Sequence, residues 1–118
     1  MIDYKNNAVL RSLLIKGWNP ILIDVLIWLE GKYPRHILLT QGYEERDYPS
    51  THSVDPLRAF DIRSTVFDNA QEISDHINSI WIYDPNRLDK NVSIFHDVGR
   101  GEHIHIQVHE NTIKKVVI

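Results

Sequence analysis

Cysteine is absent from this 118-residue chain. That excludes disulfides, thiolate metal sites and cysteine nucleophiles, and it leaves histidine and carboxylate as the strong metal ligands. Charge of one sign is also lacking. The net charge is −3 with histidine neutral, so no global basic field recommends nucleic acid as a partner. There is no long apolar run. The longest block, Ile21 to Leu29, contains Asp24 and falls far short of the ~20 residues needed to span a bilayer. The start, Met1-Ile2-Asp3-Tyr4-Lys5-Asn6-Asn7, lacks the basic residues and apolar stretch of a secretory signal. The expectation is therefore cytoplasmic synthesis, with exit only through a partner or lysis. Repeats, linkers and low-complexity segments are missing too. The length fits one domain, 1–118, large enough for a real core.

Hydrophobic residues at 42% and charged residues at 25% give the profile of a soluble globular protein. Residues 1–18 are ambiguous, since Ala8 to Leu14 suits a short helix or a strand. Asn19-Pro20 reads as a helix start, asparagine capping and proline at the first helical position. That helix runs to about Glu30, with Gly31 as its stop. It is apolar nearly all round and is expected to be buried. His36 to Thr40 reads as a buried strand, followed by a long polar loop, 44–56, of a length that is usually functional. Arg58 to Arg63 is a strand with Ala59, Asp61 and Arg63 on one face and Phe60 and Ile62 on the other. Asp68 to Gln71 resembles a capping box ahead of the stripe Ala70, Ile73, Ile77 and Ile80. Asn91 to Asp97, a turn at Gly99-Arg100-Gly101, and His103 to Val108 read as a hairpin, and 113–118 as a further edge strand. The predicted class is α+β, a small antiparallel sheet backed by two helices.

What the chain has in excess is histidine. There are seven, four of them between His96 and His109. The stretch Ser50 to Arg63 offers His52 and Asp61. The stretch Gly101 to Val108 offers Glu102, His103 and His105, with the two histidines on alternate residues and hence on one face of a strand. Imidazoles with a carboxylate suit a small, borderline-soft divalent ion, zinc above all. A further glutamate beside an open zinc position is the usual partner for activating a bound water. His36, His76, His96 and His109 read as structural or solvated groups, His109 being the one nearest to the shared face. Trp18, Trp28 and Trp81 read as core and rim.

These pieces, in their order, resemble the zinc D-alanyl-D-alanine peptidases of the bacterial cell wall. Relatives of that family include bacteriophage L-alanyl-D-glutamate endolysins and the hedgehog signalling domain. The resemblance rests on Gly42-Tyr43 after a strand, Ser50-x-His52 with Ala59-x-Asp61, and Glu102-x-x-His105 within His103-x-His105. It spans the chain from Ile37 onward. It implies a hedgehog-type fold in which His52, Asp61 and His105 ligate zinc. It further implies Glu102 as general base, and His103 beside the metal as a substrate-contacting group. The implied substrate is a peptidoglycan stem peptide, cut in carboxypeptidase or endolysin fashion, and a phage-encoded origin fits the missing signal. The chain departs from the pattern in two places. Asp55-Pro56-Leu57 expands the loop between His52 and Asp61, and Glu44 replaces the arginine after Gly-Tyr that stabilises the oxyanion. Arg46, or Arg35, is the expected substitute. The alternative implied by the same resemblance is a zinc-binding module of this fold that has lost its catalysis.

Overall fold

Asparagine sets the start of each helix. The computed structural model describes residues 2–34, 37–97 and 102–115. In it Asn6 accepts a hydrogen bond from the Val9 N–H at 2.9 Å and opens α1, Asn7–Leu14. Asn19 accepts from the Ile21 N–H at 2.9 Å and opens α2, Pro20–Lys32, with Pro20 at the first helical position. Asn69 accepts from the Glu72 N–H at 3.1 Å and opens α3, Ala70–Ile80. In each case a short polar side chain satisfies a backbone donor that the first turn leaves without a partner.

The strands are β1, Ile2–Tyr4; β2, Ile37–Gln41; β3, Ala59–Arg63; β4, Trp81–Ile82; β5, Ser93–Asp97; β6, Glu102–Gln107; and β7, Ile113–Lys114. Five of them form a sheet in the order β1-β2-β3-β6-β5, while β4 and β7 pair separately. The class is α+β, as expected, with two differences. The sheet is mixed rather than antiparallel, because β1 joins β2 in parallel. Helices number three among the described residues, because the ambiguous first segment forms both β1 and α1.

The alternation of β3 and β6 divides the sheet into two faces. Phe60, Ile62, Ile104 and Ile106 are fully buried in the core, together with Leu22, Val25 and Leu29 of α2 and Ile77 of α3. Burying each such side chain is worth about 1.5–3 kcal/mol, so the register between these strands is firmly specified. A slip of one residue would send Asp61 and His105 into the core. The opposite face carries Asp61, His103, His105 and Gln107, with Ile94 and His96 of β5 beside them. The long loop, residues 42–56, covers it.

Two readings of α2 change. The helix passes through Gly31 and ends at Lys32, because Pro34 disfavours helical geometry at the residue before it and Tyr33 is already non-helical. Nor is α2 buried all round, since Ile23 is 42% and Ile27 63% exposed; the core lies on one side of it only. The expected edge strand at the tail shrinks to Ile113–Lys114 pairing with β4. His36, the turn at Gly99-Arg100-Gly101 and residues 116–118 lie outside the described residues. No helix among the described residues is long and apolar enough to cross a membrane.

Candidate metal centre

Three chain segments meet on the polar face of the sheet. Register sets the first two ligand positions: Asp61 of β3 pairs directly with His105 of β6. The third, His52, comes from the loop, which is tied down close to it. Gly42 N–H donates to Ser12 Oγ at 3.0 Å and Tyr43 N–H to the Ser12 carbonyl at 2.8 Å. The Glu44 N–H then donates to the His52 carbonyl at 2.8 Å. Gly42 is required by this approach. A Cβ there would stand 2.7 Å from the Ser12 carbonyl oxygen, closer than packed atoms come.

His52 Nε2 lies 3.2 Å from Asp61 Oδ1 and 3.1 Å from His105 Nδ1, and His105 Nδ1 lies 2.9 Å from Asp61 Oδ1. His52 and Asp61 are buried, and the His105 side chain is 12% exposed. The outer hydrogen bonds fix the tautomers. His52 Nδ1 is 2.8 Å from the Gly42 carbonyl; a carbonyl only accepts, so Nδ1 carries the hydrogen and Nε2 presents a lone pair. On the other side, Gln107 Nε2 donates to the Asn91 carbonyl at 2.8 Å, which turns its Oε1 toward His105 Nε2 at 3.1 Å. His105 Nε2 therefore donates, and its Nδ1 also presents a lone pair. Two neutral imidazoles and a carboxylate thus aim three electron pairs at one another at about hydrogen-bond distance. Such a group is self-repelling until protons or a cation enter it. These residues could hold a metal ion.

Burial pushes the Asp61 carboxyl up. Where protons rather than a cation fill the trio, hydrogen bonds from His105 and His52, together with their charge, more than offset this and hold it well below the usual carboxylate range. His103 stands beside the trio with Nε2 3.7 Å from Asp61 Oδ2. His96 lies against it, the ring centres 5.3 Å apart, and 6.1 Å from the His105 ring. Burial lowers the His96 pKa first; the charges of His103 and His105 lower it further, against an opposing pull from Asp61. Arg46 donates to Ser50 Oγ at 2.9 Å and to Glu44 Oε2 at 3.0 Å. All of these open on a cavity of about 690 Å³ whose wall includes Arg46, His52, Asp61, His96, His103 and His105.

Of the residues singled out in the sequence, His52, Asp61, His103, His105 and Arg46 come together here. Glu102 does not. It is exposed, absent from the cavity wall, and already in regular pairing with Asp97, so it alternates away from His103 and His105. Arg35 lies outside the described residues. His109 sits past the end of β6 against Asp84, 3.8 Å away. His96 and Gln107 were missed as site residues. The hairpin expected for 91–108 contained the signal for His96, since residues paired across an antiparallel register share a face.

Compared with protein-family models, characterised proteins and solved structures, the chain shows no match.

Proposed function

We propose that this chain is a zinc-dependent peptidase acting on D-amino-acid-containing stem peptides of bacterial peptidoglycan, delivered by a phage or released on lysis. The observation that carries the reading is the triangle of lone pairs on His52, Asp61 and His105, opening on a substrate-sized cavity. Bonds of ~2.0–2.2 Å to a tetrahedral zinc correspond to ligand–ligand edges of ~3.3–3.6 Å. The triangle lies within a few tenths of an ångström of that range. Three protein ligands with a fourth direction open are the arrangement of catalytic zinc, whereas structural sites close all four. The substrate class rests on the ordered resemblance from Ser50-x-His52 through Ala59-x-Asp61 to His103-x-His105.

When bound, the metal acidifies water and polarises a carbonyl. The residues around it do the rest. Gly42 and Gln107, through their hydrogen bonds, keep both ligating imidazoles in the tautomer that exposes a lone pair. His103, on the wall within reach of Asp61, accepts a proton and returns it to the leaving amine, with His96 behind it. Arg46, oriented by Ser50 and Glu44, offers its remaining donors to an oxyanion.

The second reading, a zinc-binding module without catalysis, draws support from the exposed Glu102 and from Glu44, whose carboxylate occupies part of the Arg46 guanidinium. Incubating zinc-loaded protein with purified peptidoglycan and stem peptides, with products read by mass spectrometry, separates the two. Cleavage lost to a chelator and restored by zinc supports the peptidase. Zinc bound at one equivalent with no cleavage leaves the module.

A further inference from the structure

We infer that the cavity holds a second recognition site, for a carboxylate of the substrate, formed by Arg58, Arg87 and Lys90. The peptidase reading supplies the kind of molecule, while the subsite itself rests on the charges that face the cavity. Four cations line it; Arg46, the fourth, is already paired with Glu44, while among the described residues the only carboxylate in the wall is Asp61, which is committed to His52 and His105. A chain of net charge −3 has thus left three cations, Arg58, Arg87 and Lys90, without a paired carboxylate of the described residues on one concavity, where they favour the arrival of an anion.

Arg58 is the anchor. Its Nε donates to the Val108 carbonyl at 2.8 Å and its Nη2 to the Tyr83 hydroxyl at 2.7 Å. These bonds fix the guanidinium plane and leave other donors unused. Arg87 and Lys90 come from the turns between β4 and β5. There the Arg87 N–H donates to the Asp84 carbonyl at 2.9 Å, and the Lys90 N–H to the Arg87 carbonyl at 3.1 Å. None of the three forms an ion pair with a carboxylate of the described residues, although the Arg87 charge is felt at Asp84.

Register gives the subsite its distance from the metal centre. Arg58 lies level with Val108, Asp61 with His105 and Arg63 with His103. The cationic group, the ligand trio and the imidazole pair therefore succeed one another along β3 and β6. Arg58 precedes Asp61 by three positions, with Ala59 and Phe60 between them, roughly 10 Å of extended backbone. A peptide lying along the strands would place a carboxylate in the subsite and an amide at the trio.

The test is calorimetric titration of the zinc-loaded protein with a synthetic stem tetrapeptide as the free acid, with only its C-terminus as carboxamide, and with only its side-chain carboxylate as carboxamide. Mass spectrometry of the same samples reports cleavage, and KM replaces Kd where a peptide turns over. One of the two amides is expected to bind about tenfold more weakly, the worth of a charge-assisted contact open to solvent, and it identifies which carboxylate is read. In Arg87→Gln/Lys90→Gln, whose side chains are exposed, that discrimination shrinks toward unity while binding of the amide is unchanged. Arg58→Lys, which keeps the charge and loses the fork, retains part of it. Equal binding of acid and amides, discrimination surviving in the double variant, or no binding at all overturns the subsite. Discrimination without cleavage upholds the subsite and removes the peptidase reading.

Discussion

His52 Nδ1 and the carbonyl oxygen of Gly42 stand 2.8 Å apart, ten residues from each other in the chain. This one contact orients a candidate ligand and ties the long loop to the end of β2. The same glycine packs against Ser12 too closely for any side chain. Ligand geometry and loop anchoring are thus one arrangement.

Gly42→Ala follows from this relation. The added methyl must push the loop from Ser12, at a cost of about 1–3 kcal/mol as for other overpacked sites. It should also weaken metal binding by about 10–100-fold, the usual effect of disturbing a ligand's outer hydrogen bond. Urea unfolding and zinc titration measure the two. A variant that loses stability but binds zinc as before would mean that Gly42 does not position His52.

Zinc itself should stabilise the fold. At a hundredfold excess over Kd, linkage predicts about 2.7 kcal/mol, readable as a rise in melting temperature. His105→Ala should abolish the rise, because the trio cannot lose a member and keep its ion. If the rise persists in His105→Ala, the metal is bound elsewhere.

His103 and Glu102 divide by position. His103→Gln should keep zinc and lose about 10²–10⁴-fold in turnover, the range for a proton-transfer group. Glu102→Gln should keep both, since Glu102 faces away from the cavity. The reverse result would require the start of β6 to rearrange around the substrate, bringing Glu102 to the metal as the family resemblance implies. Arg46→Ala should keep zinc and lower kcat by about 10²–10³-fold, as other lost oxyanion donors do.

Acid stability should depend on Asp84. The Asn86 N–H, at 2.9 Å, is the main cause of its lowered pKa; burial opposes it, and Asn111, His109 and Arg87 add to the lowering. A depressed carboxyl contributes stability that is present above its ordinary value, about 3.9, and is lost as pH falls through the folded value. Asp84→Asn should therefore be less stable than the parent at neutral pH and converge on it only as the pH falls below about 3.9, as followed by thermal melts. A constant gap across that range would show that the charge of Asp84 contributes nothing.

The sequence was most legible where one interaction acts over a few residues. The Asn19 cap, the alternation in β3 and the histidine pair of β6 follow from local chemistry, and each is found, while the cap of α3 falls one residue past the start of the expected box, on Asn69. The parallel addition of β1 to β2 depends on a contact between residues 2–4 and 37–39 that no local pattern announces. The exposed flank of α2 escaped notice because an apolar helix carries no signal of which side meets the core. Glu102 was placed at the His52, Asp61 and His105 cluster for the opposite reason: its spacing to His105 fits the family motif, but strand parity overrides spacing once pairing begins at Asp97. His96 stood outside the motif and enters only through its partner across the hairpin, His103.

Asp61 and His105 face each other across β3 and β6, 44 residues apart in the chain. Closing so long a loop costs entropy before its contacts form, so the trio is expected to be unassembled in the unfolded chain. A zinc ion would then find no assembled trio there and is not expected to act as a nucleus. Its contribution should fall on the lifetime of the folded protein instead: zinc should leave the refolding rate nearly unchanged and slow unfolding by almost the full extent of its binding energy.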